Sequence, residues 1–239
     1  MLQKLDGLGF QSTLLFHLDG VIHGFSNRLA GDMENNKENR DTFGSRLGLR
    51  DSPILPEQVH DNRIQTVDRL SVGIVPGIDG LVSRDAPVAV LAADCVPVLL
   101  VDPVGHVCAA VHAGWKGTLG GIVGNAVGEM VKIGADIRRI YAFIGPHIGL
   151  CCYDVPEERA RLFKDRFGRD EKMAARIDGR WHLDIGWANY RQLTGIGISP
   201  EHIDAPLACT SCQNDTFFSY RKDSKETYGE MMAVIGFKI

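Results

Sequence analysis

Cys95 and His112 are a thiol and an imidazole in one stretch, A-A-D-C-V-P-V-L-L-V-D-P-V-G-H-V-C-A-A-V-H-A-G-W-K-G. Two chemistries need that pair. A thiolate beside an imidazole is a nucleophile for acyl transfer. The same two groups are also zinc ligands that want one or two more. The bland alternative is a buried cysteine, since free Cys is among the most buried residue types. Asp94 stands beside the thiol. Gly114, Trp115, Lys116 and Gly117 follow the imidazole, a loop of little bulk that a ligand can approach closely.

The elements around the pair must bring it together. Residues 96–101 and 107–111 are apolar runs, with Pro103 and Gly105 between them. That pattern predicts a hairpin of buried strands. Cys95 precedes the first strand and His112 ends the second, so the hairpin sets them at one end.

A third metal ligand is sought among the other histidines. His60 ends a predicted strand before a polar loop, and His23, next to Gly24, and His147, between Gly145 and Gly149, could each line a cleft. His106 belongs to the hairpin turn, at the wrong end. His182 and His202 read as solvent-side or packing residues. One Cys with two His leaves a fourth position open, which is the catalytic arrangement. Cys209-Thr210-Ser211-Cys212 is a C-x-x-C, but a zinc ribbon wants a second such pair and the chain has none. Cys151 and Cys152 are neighbours and read as buried. Both pairs therefore fall outside the expected metal site. Arg28, Arg40, Lys116, Arg221 and Lys222 lie in or near polar or glycine loops. Singly they read as solvated charges; converging, they would bind phosphate or carboxylate.

The chain has 239 residues, 44% hydrophobic and 23% charged, an ordinary globular composition for one large domain or two small ones. A formal net charge of −4 argues against nucleic acid as an obligate partner. The apolar runs are far shorter than the roughly 20 residues of a membrane span. The N-terminus lacks the basic-then-apolar order of a secretion signal. Six cysteines are too few for a disulfide scaffold, and a reducing cytoplasm is expected.

Along the chain, residues 12–18 read as a first strand. Phe43 and Leu47 mark a helix over 36–47, stopped near Gly48. Residues 122–131 carry the clearest amphipathic helix, capped by Gly134. Residues 137–144 read as a strand, 156–167 and 187–195 as helices, and 181–185 as a half-exposed strand. Residues 206–209, 217–220 and 231–237 read as short strands. Strands and helices interleave without regular βαβ alternation. This favours a single domain with a mixed sheet over a doubly wound parallel sheet.

Several rare motifs occur in one order: Q-V-H at 58–60, A-D-C-V-P-V-L-L at 93–100, H-A-G-W-K-G at 112–117 and G-P-H-I-G-L-C-C-Y-D-V at 145–155. F-F-S-Y-R-K-D at 217–223 and Y-G-E-M-M-A-V-I at 228–235 follow. With these the chain resembles the laccase-domain proteins, a family first described as multicopper polyphenol oxidases and then as purine nucleoside phosphorylases. The likeness runs from about His23 to the end, so one domain over 1–239 is expected. Asp61 stands where the family often has Gly, and Lys222 replaces a second Arg, which weakens any bidentate role there.

The resemblance implies zinc on His60, Cys95 and His112, with copper possible in some preparations. It implies an α+β fold of mixed sheets flanked by helices, in four layers (α/β/β/α) related to cysteine-hydrolase toxin domains. Implied activities are phosphorolysis of adenosine, inosine and methylthioadenosine, with deamination of adenosine. Cys95, His112, His60 and Asp94 would be catalytic, Asp94 for proton transfer. Arg28, Arg40, Lys116 or Arg221 would hold phosphate, and Trp115, Phe218 or Tyr153 would stack on the base. Partners would be purine nucleosides and phosphate, with neither nucleic acid nor membrane, in a monomer or homodimer. The alternatives are a metal-free Cys–His hydrolase or amidase acting on a peptidoglycan precursor, and a copper-binding polyphenol oxidoreductase. The last sits poorly with the residues, because multicopper oxidases use H-x-H pairs and the chain has none.

Overall fold

The computed structural model describes residues 2–71 and 73–238. Met1 and Ile239, the ends of the domain expected over 1–239, lie outside the described residues, as does Val72. The apolar runs at 96–101 and 107–111 form the expected hairpin, Val96–Asp102 paired antiparallel with Val107–Ala113. His112 lies opposite Pro97, so Cys95 and His112 do share one end of the hairpin. The hairpin is the middle of a six-stranded mixed sheet ordered Ile203–Asp204, Tyr141–Ile144, Val96–Asp102, Val107–Ala113, Gly80–Ser83, Ile64–Val67. Its two outer pairings are parallel and the rest antiparallel.

A second, antiparallel sheet runs Leu2–Leu5, Gly9–Ser12, Val21–Ser26, Met231–Phe237, Val88–Ala92. Strand geometry sends alternate side chains to opposite faces. Val98, Leu100, Ala109 and Val111 therefore pack with Ile122, Ala126 and Met130 of the helix Ile122–Lys132. Leu99, Val101, Cys108 and Ala110 pack instead on Val88, Val90, Ala233 and Ile235 of the second sheet. The far face of that sheet, Ala89, Leu91, Met232 and Val234, is covered by Phe43 and Leu47 from the helix Lys37–Leu47. The layers are thus helix, sheet, sheet, helix, the mixed α+β order expected. Both faces of the hairpin are dry, which explains why its strands read as unbroken apolar runs. Truncating Leu99 to Ala would cost about 2–5 kcal/mol.

Some elements differ from the sequence reading. Residues 12–18 are not a strand: Ser12 ends one, Gly9–Ser12, and its hydroxyl accepts from the Leu15 N–H to start a short helix, Thr13–Phe16. Residues 137–144 begin as a 3₁₀ turn capped by Asp136, and only Tyr141–Ile144 is strand. Residues 206–209 and 217–220 carry no strand beyond an isolated bridge between His147 and Cys209. Side chains, not a ladder, organise that region.

Candidate metal centre and its pocket

Asp79 positions both expected histidine ligands, and Asp94 turns the chain at the cysteine. His112 rides on the end of its strand. Its Nδ1 lies 2.8 Å from Oδ1 of Asp79, and its backbone N–H donates to the Asp79 carbonyl at 2.8 Å. His60 sits in a loop with φ +60°, a backbone region that costs a non-glycine residue energy unless neighbours secure it. The same Asp79 carboxylate secures it, accepting the N–H groups of His60 at 2.8 Å, Asp61 at 2.8 Å and Val59 at 3.2 Å. Just upstream, the Gln58 amide bonds Leu91 as another strand would, donating to its carbonyl at 2.9 Å and accepting its N–H at 2.7 Å. Gln58 thereby anchors the His60 loop to the last strand of the second sheet.

Asp94, at φ +85°, turns the chain so that Cys95 starts the hairpin. Its Oδ1 accepts from the Thr210 hydroxyl at 2.6 Å. Its Oδ2 accepts from the Ser219 hydroxyl at 3.0 Å and the Arg221 N–H at 2.7 Å. The Asp94 carboxylate is thus a knot between the Cys95 turn and the 210–221 loop.

The ligand atoms of His60, Cys95 and His112 all lie within 4.8 Å of one another. The two imidazoles meet edge to face, centroids 4.8 Å apart. A Cβ added at Gly114 would touch His60 at 3.4 Å, Cys95 Sγ at 3.5 Å and His112 at 3.8 Å, so a bare backbone lies against the triad. Tetrahedral zinc with ligands at about 2.0–2.3 Å separates its donor atoms by roughly 3.3–3.8 Å. The group offers the Cys and His donors of a metal site, gathered within 4.8 Å.

Charge couples the three. Burial raises the Cys95 thiol, but His112, by charge and hydrogen bond, and then His60 outweigh it and bring the pKa down to about 6. Burial lowers the His112 imidazole, but the Cys95 thiolate and Asp79 push it up, to about 10. Burial likewise raises Asp79, yet the His112 bond and the loop N–H groups hold it below the ordinary carboxylate value. Asp79 is fully buried. A carboxylate on one imidazole nitrogen leaves the other free for a metal and orients the ring.

The triad opens into a cavity of about 460 Å³, a size suited to a small organic ligand. Trp115, Tyr153, Tyr220 and Tyr228 give it aromatic walls, and Arg159, Arg221 and Glu230 give it charge. Of the four expected phosphate-binding cations, Arg221 alone lines this cavity. Its guanidinium hydrogen-bonds Asp154 and lies over the Tyr153 ring at 5.4 Å. Arg28 grips the 214–227 loop through Asn214, Phe217 and Thr227 carbonyls and both Asp223 oxygens. Arg40 donates to the Met33 and Glu34 carbonyls. Lys116 is exposed, 5.7 Å from the Trp115 ring centroid. Trp115 and Tyr153 line the cavity as expected of stacking residues, whereas Phe218 is buried beneath Arg28.

Sequence reasoning missed Asp79, Arg159 and Glu230. In sequence, Asp79-Gly80 has the form of an ordinary turn dipeptide. Arg159 belongs to the helix Glu157–Phe167, donates to the Tyr153 hydroxyl at 3.0 Å and stacks on Trp115 at 4.3 Å. Glu230 accepts the Tyr228 hydroxyl at 3.0 Å. Burial and then Glu34 push its carboxyl up to about 7. Its signal was there, an acid in the Y-G-E-M-M motif just before the last strand. His23, a cleft candidate, is instead buried in the sheet, accepting from the Ser12 N–H at 2.9 Å. His147 lines a different cavity, beside Asp184 at 3.3 Å.

Residues 24–238 match the family described as multi-copper polyphenol oxidoreductase laccase. The chain belongs to this family. Within it, the chain is similar to a purine nucleoside phosphorylase of Deinococcus radiodurans, 39% identical over 83% of this chain and 76% of the relative. It is 37% identical to the purine nucleoside phosphorylase YlmD of Geobacillus stearothermophilus, over 75% of this chain and 70% of YlmD. A protein named adenosine deaminase RL5, from an unknown prokaryotic organism, is 33% identical over 76% of this chain and 74% of its own. The crystal structure of YlmD from G. stearothermophilus superposes with a TM-score of 0.88 at 28% identity, covering 100% of this chain and 99% of YlmD. Bacillus licheniformis YfiH superposes with a TM-score of 0.86 at 27% identity, covering 98% of each. Among the described residues, no helix is long and apolar enough to cross a membrane.

Proposed function

We propose that this chain is a zinc-dependent purine nucleoside phosphorylase that also deaminates adenosine, with His60, Cys95 and His112 as the zinc ligands. The observation that carries the reading is this Cys/His₂ group on the floor of an aromatic cavity holding two arginines and an acid, in a chain whose relatives bear those two names. Zinc with an open coordination position would supply Lewis acidity and an activated water. The remaining work falls to the chain. Asp79 keeps the His112 ring oriented. Trp115 or Tyr153 stacks on the purine. Arg159 and Arg221 neutralise the incoming phosphate, whose oxygen bonds to the ribose anomeric carbon as the bond to the purine nitrogen breaks. Glu230 is placed to hand a proton to the departing purine. Asp94, saturated by three donors, supports the reading by position: it fixes the Arg221 loop against the Cys95 turn.

One observation favours a second reading. Cys95, His112 and Asp79 also form a thiolate–imidazolium–carboxylate series, the arrangement of a cysteine hydrolase. That reading leaves the second imidazole, His60, without a role. Treatment with a strong chelator decides between them. It should abolish inosine phosphorolysis, and zinc should restore it, with copper as the competing metal in the same titration. Activity that survives metal removal, with an acyl adduct on Cys95 after incubation with an ester, would establish the hydrolase instead.

A further inference from the structure

The four remaining surface and half-buried cysteines come together, which neither pair signalled in the sequence. Cys151, Cys152, Cys209 and Cys212 have all their Sγ atoms within 4.8 Å of one another. Cys212 Sγ is 3.4 Å from Cys151 Sγ and 3.4 Å from Cys152 Sγ. These separations are far beyond the roughly 2.05 Å of a disulfide. They bracket the roughly 3.8 Å between sulfurs of a zinc tetrathiolate with zinc–sulfur bonds of about 2.3 Å. The expectation that Cys151 and Cys152 are simply buried does not hold: Cys151 is exposed and Cys152 half-buried.

We propose that these four cysteines are a second metal site, a closed structural zinc centre. The backbone is arranged for it. Cys151 and Cys152 lie on a turn in which the Cys152 and Tyr153 N–H groups donate to the Gly149 carbonyl at 3.0 and 3.1 Å. Cys209 and Cys212 lie on a second turn, with the Gln213 N–H donating to the Cys209 carbonyl at 3.0 Å. The two turns are laid side by side by the His147 N–H donating to Ala208 at 3.2 Å and the Thr210 N–H donating to His147 at 3.0 Å. The Gly149 N–H donates to Cys209 Sγ at 3.3 Å, a bond that favours a thiolate. Four thiolates this close repel unless a soft divalent cation lies among them, and zinc suits such a set. The exposure of Cys151 and Cys212 gives the ion a way in.

The centre has a task. One turn runs directly into Tyr153 and Asp154, and the other contains Thr210, whose hydroxyl grips Asp94 beside Cys95. Zinc here clips together the two loops that carry Tyr153 and Arg221 into the cavity. The two turn segments are joined by an isolated bridge and not by a ladder, so the clip does the work of a sheet between them. The proposal stands whether or not the reaction proposed above is right.

The experiment removes the first centre and asks whether zinc remains. Protein carrying Cys95→Ala, purified without added metal, is analysed by inductively coupled plasma mass spectrometry beside the unsubstituted protein. About one equivalent is expected in the variant, and none once Cys151→Ser and Cys212→Ser are added. The triple variant need not fold for the test to stand. Cobalt(II) titrated into metal-free Cys95→Ala protein should give an intense sulfur-to-metal charge-transfer band and tetrahedral ligand-field bands, both displaced by zinc. A Cys95→Ala protein without zinc and without the cobalt bands overturns the proposal. So does an intact mass two hydrogens short that maps to a disulfide among these four cysteines.

Discussion

The His60–Cys95–His112 group is hung on regular structure, whereas the four cysteines hang on two turns. The first has a strand end beneath His112, a clamp from Gln58 to the second sheet, and the fully buried Asp79 bonded to both histidine segments. The second has one bridge and a few turn hydrogen bonds. The first mixes nitrogen and sulfur donors and faces a cavity. The second is all sulfur, with Cys151 and Cys212 exposed and three of its cysteines lining the separate cavity beside His147. A preformed site can leave a coordination position open for chemistry, because the protein already fixes its ligands. A site on loops instead needs its metal to close the coordination sphere and order the chain.

The sharpest break in this comparison is Cys95→Ala. Phosphorolysis and deamination should fall together, by about 10³-fold or more, while zinc on the four cysteines is retained. Steady-state rates with metal analysis check it, and a variant that still cleaves inosine at the parent rate would remove the zinc mechanism. Glu230→Gln comes next. It should lower kcat for phosphorolysis by about 10²-fold without loss of either metal. The parent carboxyl is pushed up to about 7, so its proton is lost as pH rises through that region and the rate should fall there. The variant's pH profile should lack that limb; an unchanged limb would acquit Glu230.

Asp79→Asn probes the anchoring itself. Zinc affinity at the first centre should weaken about 10–100-fold, with no change at the second. Asp79 is depressed in the folded state, so its contribution to stability is present above the ordinary carboxylate pKa of about 3.9. That contribution is lost as pH falls through the lower folded value. The gap in Tm between parent and variant should therefore be steady near neutrality and narrow below about pH 4. A gap that widens in acid would refute the assignment. The smallest effect is expected from Arg221→Ala, about tenfold in KM for phosphate, with deamination nearly unchanged because only phosphorolysis binds the dianion. Equal losses in both reactions would show that Arg221 acts on the loop and not on phosphate.

The parts legible in sequence were those written as local pattern. The hairpin, the helices Lys37–Leu47 and Ile122–Lys132 and the strand Met231–Phe237 follow from periodicity and from caps such as Asn36 and Gly48. The pairing of Cys95 with His112 followed as well, because a hairpin returns the chain to its start. Residues 12–18 and 137–144 misled because a side-chain cap converted apolar stretches into turns.

What sequence alone determined is the chemistry on offer: one thiol with one imidazole at a hairpin end, and a set of motifs that point to a third ligand. Tertiary structure decided which charges reach that chemistry. Arg28 and Arg40 looked like Arg221 on the page, yet their guanidiniums are consumed by carbonyls of neighbouring loops, while Arg159 enters the cavity from a helix. The same holds for the cysteines, since Cys151 and Cys212 meet only because two loops distant in sequence share a bridge. The physical reason is range. Periodicity and capping act over one or two turns of chain, whereas convergence depends on loop paths set by side-chain bonds such as Thr210 to Asp94.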